Sequence, residues 1–157
     1  MNEIRVGQGF DVHRFSDDPA RPLVLGGQHF DGRGLEAISD GDVIAHACAD
    51  ALLGAAGLGD LGTHFGEADP ASAGADSIGI LSQVTALVRA EGWQIGNIDC
   101  SVVAEAPKLA PRRAAMQVAL SGAVGAPVTV KGRRAEGLGA LGRVEGIACF
   151  ASAVVTR

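Results

Sequence analysis

Asp11 and His13 stand two residues apart in Gly9-Phe10-Asp11-Val12-His13, and if residues 4–13 run as a strand, the period of two carries both side chains to one face. A carboxylate beside an imidazole makes a two-pronged ligand suited to zinc, and catalytic zinc takes three protein ligands with one position left open for water or substrate. His46 is the third ligand in this reading. It falls inside the helix expected after Ser39-Asp40-Gly41-Asp42, one turn from Asp42 and Asp50, and these carboxylates at i−4 and i+4 are placed to orient its ring. A DxH pair is short and common, and a histidine in such a helix can equally be a hydrogen-bonded core residue, so the rest of the chain has to carry the case.

Basic residues collect in two other stretches: Lys108 with Arg112 and Arg113, and Lys131-Gly132-Arg133-Arg134 followed by Glu136 and Arg143. In an acidic chain such clusters read either as solvated faces or as a phosphate site, since arginine forks onto phosphate oxygens and lysine supplies a point charge. Taken with a zinc site, and with Glu136 able to hold a hard cation, they point to a diphosphate clamped between two metals and so to phosphoryl transfer.

The elements that must position these groups follow from composition and pattern. A chain of 157 residues, 47% of them hydrophobic, forms one domain, 1–157, with a substantial core. The net charge of −5 and 4% aromatics exclude broad binding to nucleic acid or an anionic membrane and leave small phosphorylated ligands. Cys48, Cys100 and Cys149 are odd in number and lack CxxC spacing, which excludes a disulfide framework and a thiolate zinc site and makes them small buried residues. With no basic leader and no run approaching about 18 apolar residues, the expected location is the cytoplasm.

Residues 4–10 and 23–30 read as strands, with Asp31-Gly32-Arg33-Gly34 a turn and His29 on the surface. Ser39 and Asp42 match a capping box, and Val43 to Gly57 has helical spacing. Gly57-Leu58-Gly59-Asp60-Leu61-Gly62 then permits close approach of a ligand or simply ends the helix, and residues 63–75 form an aperiodic loop. A second helix capped by Asp76 or Ser77 runs to about Glu91, a strand spans 95–105, Pro111 opens a third helix, and strands follow at 127–131 and 147–155. The order β-β-α-α-β-α-β-β predicts an α+β fold: a single-domain sandwich with a mixed four- to five-stranded sheet covered on one face by helices. The last strand is apolar on both faces, which sets the other sheet face toward the centre of a closed ring of subunits.

The motifs Gly9-Phe10-Asp11-Val12-His13, Ser39-Asp40-Gly41-Asp42-Val43 with His46, Asp50-Ala51-Leu52-Leu53-Gly54-Ala55, Gly59-Asp60-Leu61-Gly62, Gly74-Ala75-Asp76-Ser77, Gly96-Asn97 and Ala106-Pro107-Lys108 resemble the 2-C-methyl-D-erythritol 2,4-cyclodiphosphate synthase family across essentially the whole chain. The resemblance implies a homotrimer with active sites between subunits, acting as a phosphorus–oxygen lyase in the non-mevalonate isoprenoid pathway. In that reaction the 2-phosphate of 4-diphosphocytidyl-2-C-methyl-D-erythritol 2-phosphate attacks its own β-phosphate, releasing CMP and closing a cyclic diphosphate. It implies zinc on Asp11, His13 and His46, and magnesium or manganese on Glu136 against the diphosphate. Asp60 and Gly62, with Leu61 between them, meet the methylerythritol; Phe65, Gly66, Glu67, Ala68 and Asp69 line the substrate loop. Ala104, Glu105, Ala106, Pro107, Lys108, Leu109 and Ala110 hold the cytidine end. Because the nucleophile is already an anionic phosphate, no general base is needed, and catalysis reduces to alignment and neutralisation of charge.

The chain departs from the family pattern at three places. Ile38 precedes Ser39 where the family usually has histidine, Arg133-Arg134-Ala135 precede Glu136 where it usually has threonines, and Ala140 takes a position often aromatic. With Arg143, these residues belong to the substrate surroundings, and the lost histidine and gained arginines read as one exchange in which Arg134, alongside Glu136, stabilises the transferred phosphate. A non-catalytic metal- and nucleotide-binding homologue and a zinc phosphohydrolase are the alternatives. Retention of the three zinc ligands, Glu136 and Lys108 favours the cyclase.

Overall fold

The computed structural model describes residues 3–66 and 68–157. In chain order the elements are β1 (Ile4–Arg14), β2 (Leu23–Leu25), β3 (Gln28–Phe30), α1 (Val43–Ala56), α2 (Leu61–His64), α3 (Ser77–Ala90), β4 (Gln94–Val103), α4 (Arg113–Val124), β5 (Val128–Arg133), α5 (Gly139–Gly142) and β6 (Gly146–Thr156). Four strands form a mixed sheet in the order β1-β6-β4-β5, antiparallel except for the parallel pair β4 and β5. This is the expected α+β architecture, with α1, α3 and α4 layered on one face. Among the described residues, no helix is long and apolar enough to cross a membrane.

Residues 23–30 depart from the single strand expected of them. They fold into the hairpin β2–β3, turning at Gly26 and Gly27 with φ of 56° and 72°. A two-residue hairpin turn of this kind needs positive φ at both central positions, which glycine adopts without steric cost. The turn is held from a distance: the Asp42 carboxylate accepts the N–H of Gly26 at 2.8 Å and of Gly27 at 2.7 Å. Asp42 is also the cap of α1, accepting from Ile44 and Ala45, so the capping box expected at Ser39 is replaced by a cap three residues later. In the same way Pro111 sits in a short 3-10 turn and α4 itself starts at Arg113.

α1 is rich in alanine because it lies against β1 almost without spacing. A Cβ at Gly7 would stand 2.0 Å from the Ala51 carbonyl oxygen, and one at Gly9 would stand 1.9 Å from that of Ala47. Leu52, Leu53, Ile98, Leu120 and Ile147 are fully buried around this contact, each side chain stabilising the fold by about 1.5–3 kcal/mol. Cys48, Cys100 and Cys149 lie in the same core as free thiols. On β6, Ile147, Cys149, Ala151, Ala153 and Val155 face this core. On the opposite sheet face Ile4, Val6, Phe10, Val12 and Phe150 are exposed, with the Phe10 and Phe150 rings 4.8 Å apart between centroids.

Candidate active site

Strand period and helix start together bring three ligand atoms to one point. Asp11 Oδ2 lies 2.9 Å from His13 Nε2 and 3.0 Å from His46 Nδ1, and the two nitrogens are 3.3 Å apart. Ligand atoms about 2.0–2.1 Å from a tetrahedral ion stand about 3.3 Å from one another, so the triangle fits such an ion after small adjustments. Its open side faces a cleft of about 530 Å³ lined in part by Glu36, Ile38, Ser39, Leu61 and Phe65.

Each imidazole is held in the tautomer that a metal requires. His13 Nδ1–H donates to the Glu36 carbonyl at 2.8 Å, which turns the Nε2 lone pair toward Asp11. His46 Nε2 lies 2.8 Å from Ser77 Oγ and 3.1 Å from Ser39 Oγ. The Ser77 hydroxyl donates to Asp40, whose other oxygen accepts the Ser77 N–H at 3.0 Å, so Ser77 accepts from His46 and leaves Nδ1 free for the ion. Asp42 and Asp50, the carboxylates expected to orient His46, do other work. Asp42 is buried beneath the helix start, and Asp50 accepts the Leu61 N–H at 3.1 Å, tying α1 to α2. Ser77 escaped the sequence reading because its position beside Asp76 marks a helix start and nothing in the spacing links it to His46.

Burial works against the Asp11 carboxylate, but the His13 and His46 imidazoles outweigh it and hold the group well below the usual carboxylate range. Burial likewise works against a charged His13; the Asp11 carboxylate and the Glu36 carbonyl outweigh it, so His13 titrates above an ordinary imidazole.

A second cleft, of about 320 Å³, gathers Ala104, Glu105, Pro107, Lys108, Leu109 and Ala110 from the loop after β4 with Arg113, Arg133 and Arg134. Ala106 turns instead into a separate small apolar cleft that includes Val144. Among the described residues, Arg134 is the only cation lining this second cleft with a carboxylate within ion-pair distance: it meets Glu105 at 2.8 Å. Glu105 also accepts the Gly137 N–H at 3.3 Å, and Arg134 and that N–H hold its carboxyl below the usual range. Ala135 and Glu136 follow on the exposed loop, Glu136 with a φ of 54°, and line neither cleft. Ala140 belongs to α5, and Arg143 pairs with Glu145 at 2.7 Å, both away from the clefts. Asp60 caps α2 by accepting from Thr63, which lowers its titration, with Gly62 exposed beside it. The loop expected at 63–75 opens on the last two residues of α2 and holds a 3-10 turn at Pro70–Ser72 capped by Asp69, with Gly66 and Ala68 leading into it; Glu67 lies outside the described residues.

The two clefts occupy opposite edges of the sheet at one end. Asp11, Cys149, Val102 and Gly132 form one row across the strands, and three strand spacings of about 4.8 Å separate the ends of that row by about 14 Å. β1, β4 and β5 all run the same way, so the loops after them rise on the same side.

Comparison with known proteins bears on what such a paired arrangement serves. Residues 4–156 match the model of the YgbB family. The chain is 50% identical over 158 residues to 2-C-methyl-D-erythritol 2,4-cyclodiphosphate synthase of a Synechococcus species, covering 97% of this chain and 94% of the relative. It is 48% identical to the bifunctional enzyme IspD/IspF of Anaeromyxobacter dehalogenans over 98% of its own length, but spans only 40% of that larger protein. The solved CDP complex of IspF from Plasmodium falciparum superposes with a TM-score of 0.85 at 33% identity, covering 99% of this chain and 97% of that one. A family match over nearly every residue, and relatives of the same length at half identity, leave one conclusion: the chain belongs to the YgbB family, that of the 2-C-methyl-D-erythritol 2,4-cyclodiphosphate synthases.

Proposed function

We propose that this chain, folded as one domain over residues 1–157, converts 4-diphosphocytidyl-2-C-methyl-D-erythritol 2-phosphate to 2-C-methyl-D-erythritol 2,4-cyclodiphosphate and CMP in the cytoplasm. An oxygen of the 2-phosphate forms a bond to the β-phosphorus, the bond from that phosphorus to the oxygen bridging it to the α-phosphorus breaks, and the electron pair leaves on CMP. The observation that carries the reading is the Asp11–His13–His46 triangle opening into a cleft at the same sheet end as a cleft lined by Lys108, Arg113 and Arg133.

The donor set of one carboxylate and two neutral imidazoles suits zinc, and the exposed Glu136 carboxylate suits magnesium or manganese shared with phosphate oxygens. When bound, these ions supply positive charge to the phosphates and fix their alignment. The chain's own residues do the rest. Lys108 and Arg133 neutralise the diphosphate; residues 104–110 receive the cytidine; Ile38, Leu61 and Phe65 shield the reacting phosphates from water; Asp60 and Gly62 meet the methylerythritol.

A single chain separates its two clefts by the width of its sheet, so one substrate meets both when the β1 edge of one protomer abuts the β5 edge of the next. The exposed apolar face around Phe10 and Phe150 gives such copies a surface to bury, and we assign the assembly as a homotrimer. Incubation with the diphosphocytidyl substrate and Mg²⁺, followed by phosphorus NMR, tests the reaction. Cyclic diphosphate with CMP is expected; an uncyclised phosphate would make the protein a hydrolase, and unchanged substrate would make it a binding homologue.

A further inference from the structure

Both histidines of the triangle touch one stretch, residues 35–39, whose tie to regular backbone pairing, among the described residues, is a bridge between Leu35 and Phe15. Its carbonyls alternate. Those of Leu35, Ala37 and Ser39 all turn to the guanidinium of Arg21: Nε donates to Leu35, and Nη2 donates to Ala37 at 2.7 Å and to Ser39 at 2.5 Å. Those of Glu36 and Ile38 turn the other way, where Glu36 accepts from His13 at 2.8 Å and Ile38 accepts the Gly74 N–H at 2.8 Å. The Ser39 hydroxyl, at the end of the stretch, meets His46.

We propose that Arg21 is a positioning residue of the metal centre: its planar fork fixes the register of residues 35–39, and through them the Glu36 carbonyl on His13 and the Ser39 hydroxyl on His46. This rests on the metal-centre reading above. Arg21 touches neither ligand nor substrate cleft. It lines a different cleft, with Arg14 and Asp18, on the far side of the segment. Among the described residues it has no carboxylate within ion-pair distance, so its charge is met by three carbonyl dipoles that point at it together. A guanidinium holds several acceptors in one plane; an ammonium is a single point and cannot keep alternate carbonyls in line. Without the fork the segment is free to rotate its peptide planes; His13 then loses the carbonyl that selects its tautomer, and His46, still held by Ser77, loses its second contact at Ser39.

The test uses the full chain stripped with chelator and reloaded with Zn²⁺, or with Co²⁺ as a visible probe of ligand geometry. Arg21→Ala is expected to lower Zn²⁺ affinity about 10–100-fold in competition with a chromophoric chelator, and to alter the Co²⁺ visible bands. Arg21→Lys should fall in the same direction, and it carries the comparison if the alanine variant does not fold. Added guanidinium ion at millimolar concentration should recover part of the affinity of Arg21→Ala while leaving the wild type unchanged. Wild-type affinity and an unaltered Co²⁺ spectrum in both variants would overturn the inference alone. A wild-type chain that takes up neither metal would overturn the metal-centre reading and this inference with it.

Discussion

The ring of His46 is held by Ser77, 31 residues further along the chain, with Nε2 and Oγ 2.8 Å apart. Asp40 accepts from Ser77 in turn, so a carboxylate, a hydroxyl and an imidazole stand in series behind the Nδ1 that faces Asp11. Removing the ligand and removing its support should therefore give separable results. His46→Ala leaves two ligands and should abolish stoichiometric zinc. Ser77→Ala should keep the site but weaken it about 10–100-fold, with Ser77→Thr restoring part of the loss. Metal analysis after dialysis against graded chelator checks both; full zinc occupancy of His46→Ala would remove His46 from the ligand set.

The metal-free and metal-loaded protein should respond to pH in opposite senses. The folded-state titration of His13 is raised, so its ion pair with Asp11 stabilises the metal-free fold fully below the ordinary imidazole range and less as pH rises through the shifted value. Zinc, however, competes with that same proton, so its affinity should increase over the same rise in pH. Thermal unfolding of the chelator-treated protein between about pH 6 and 8, beside zinc competition in the same buffers, reads both slopes. A metal-free protein that became more stable across this range would contradict the Asp11–His13 pair.

Asp42 joins two elements with one carboxylate: Oδ1 accepts from Gly26, Ile44 and Ala45, and Oδ2 from Gly27. Asn at this position keeps one acceptor and sets an amide donor against the N–H of Gly26 or Gly27. Asp42→Asn should cost about 2–4 kcal/mol, the penalty for unmatched buried groups and lost bonds to a charge. At about 2–4 °C per kcal/mol for a chain of this size, calorimetry should show a fall in Tm of about 4–16 °C. A change of a degree or less would mean that the turn and the cap hold without the carboxylate.

Arg133 and Arg134 are neighbours with different commitments. Arg134 has Nε and Nη2 on Glu105, whereas Arg133 lines the same cleft with no carboxylate within ion-pair distance among the described residues. Arg133→Ala should weaken CDP binding about 5–10-fold and flatten its salt dependence, as loss of one phosphate contact does. Arg134 is exposed, so Arg134→Ala should leave thermal stability nearly unchanged. Its effect on CDP should largely vanish in a Glu105→Gln background, because the pair braces the loop as a unit. Titration calorimetry of the four proteins decides; equal losses for both arginines regardless of Glu105 would mean that both reach the nucleotide.

What could be read from the sequence depended on periodicity. A strand repeat of two is enough to put Asp11 and His13 side by side, and helix spacing is enough to place His46 on an inward face. The supports of those ligands were not legible. Ser77, Asp40 and Arg21 act through contacts between loops, where side-chain rotamers and carbonyl directions decide, and no repeat length reports them. Residues 23–30 misled for a related reason. Leu-Val-Leu-Gly-Gly-Gln-His-Phe looks like one strand until Asp42, far along the chain, holds the two glycines in a turn. The Glu136 loop lies between these cases: its residue types speak of phosphate and metal, yet the folded chain leaves it open to solvent.

The contact of α1 with β1 at Gly7 and Gly9 has a meaning for the ion as well as for the core. Asp11 and His13 stand on the strand and His46 on the helix, so the distance between the two backbones is also the bite of the chelate. Two absent methyl groups set that bite, and side chains as short as aspartate and histidine then span it. Any methyl at either glycine would move the helix before it moved the strand, since β1 is fixed along its whole length by β6. The helix would carry one ligand away from the other two, and the chain would keep its sheet while losing its grip on the metal.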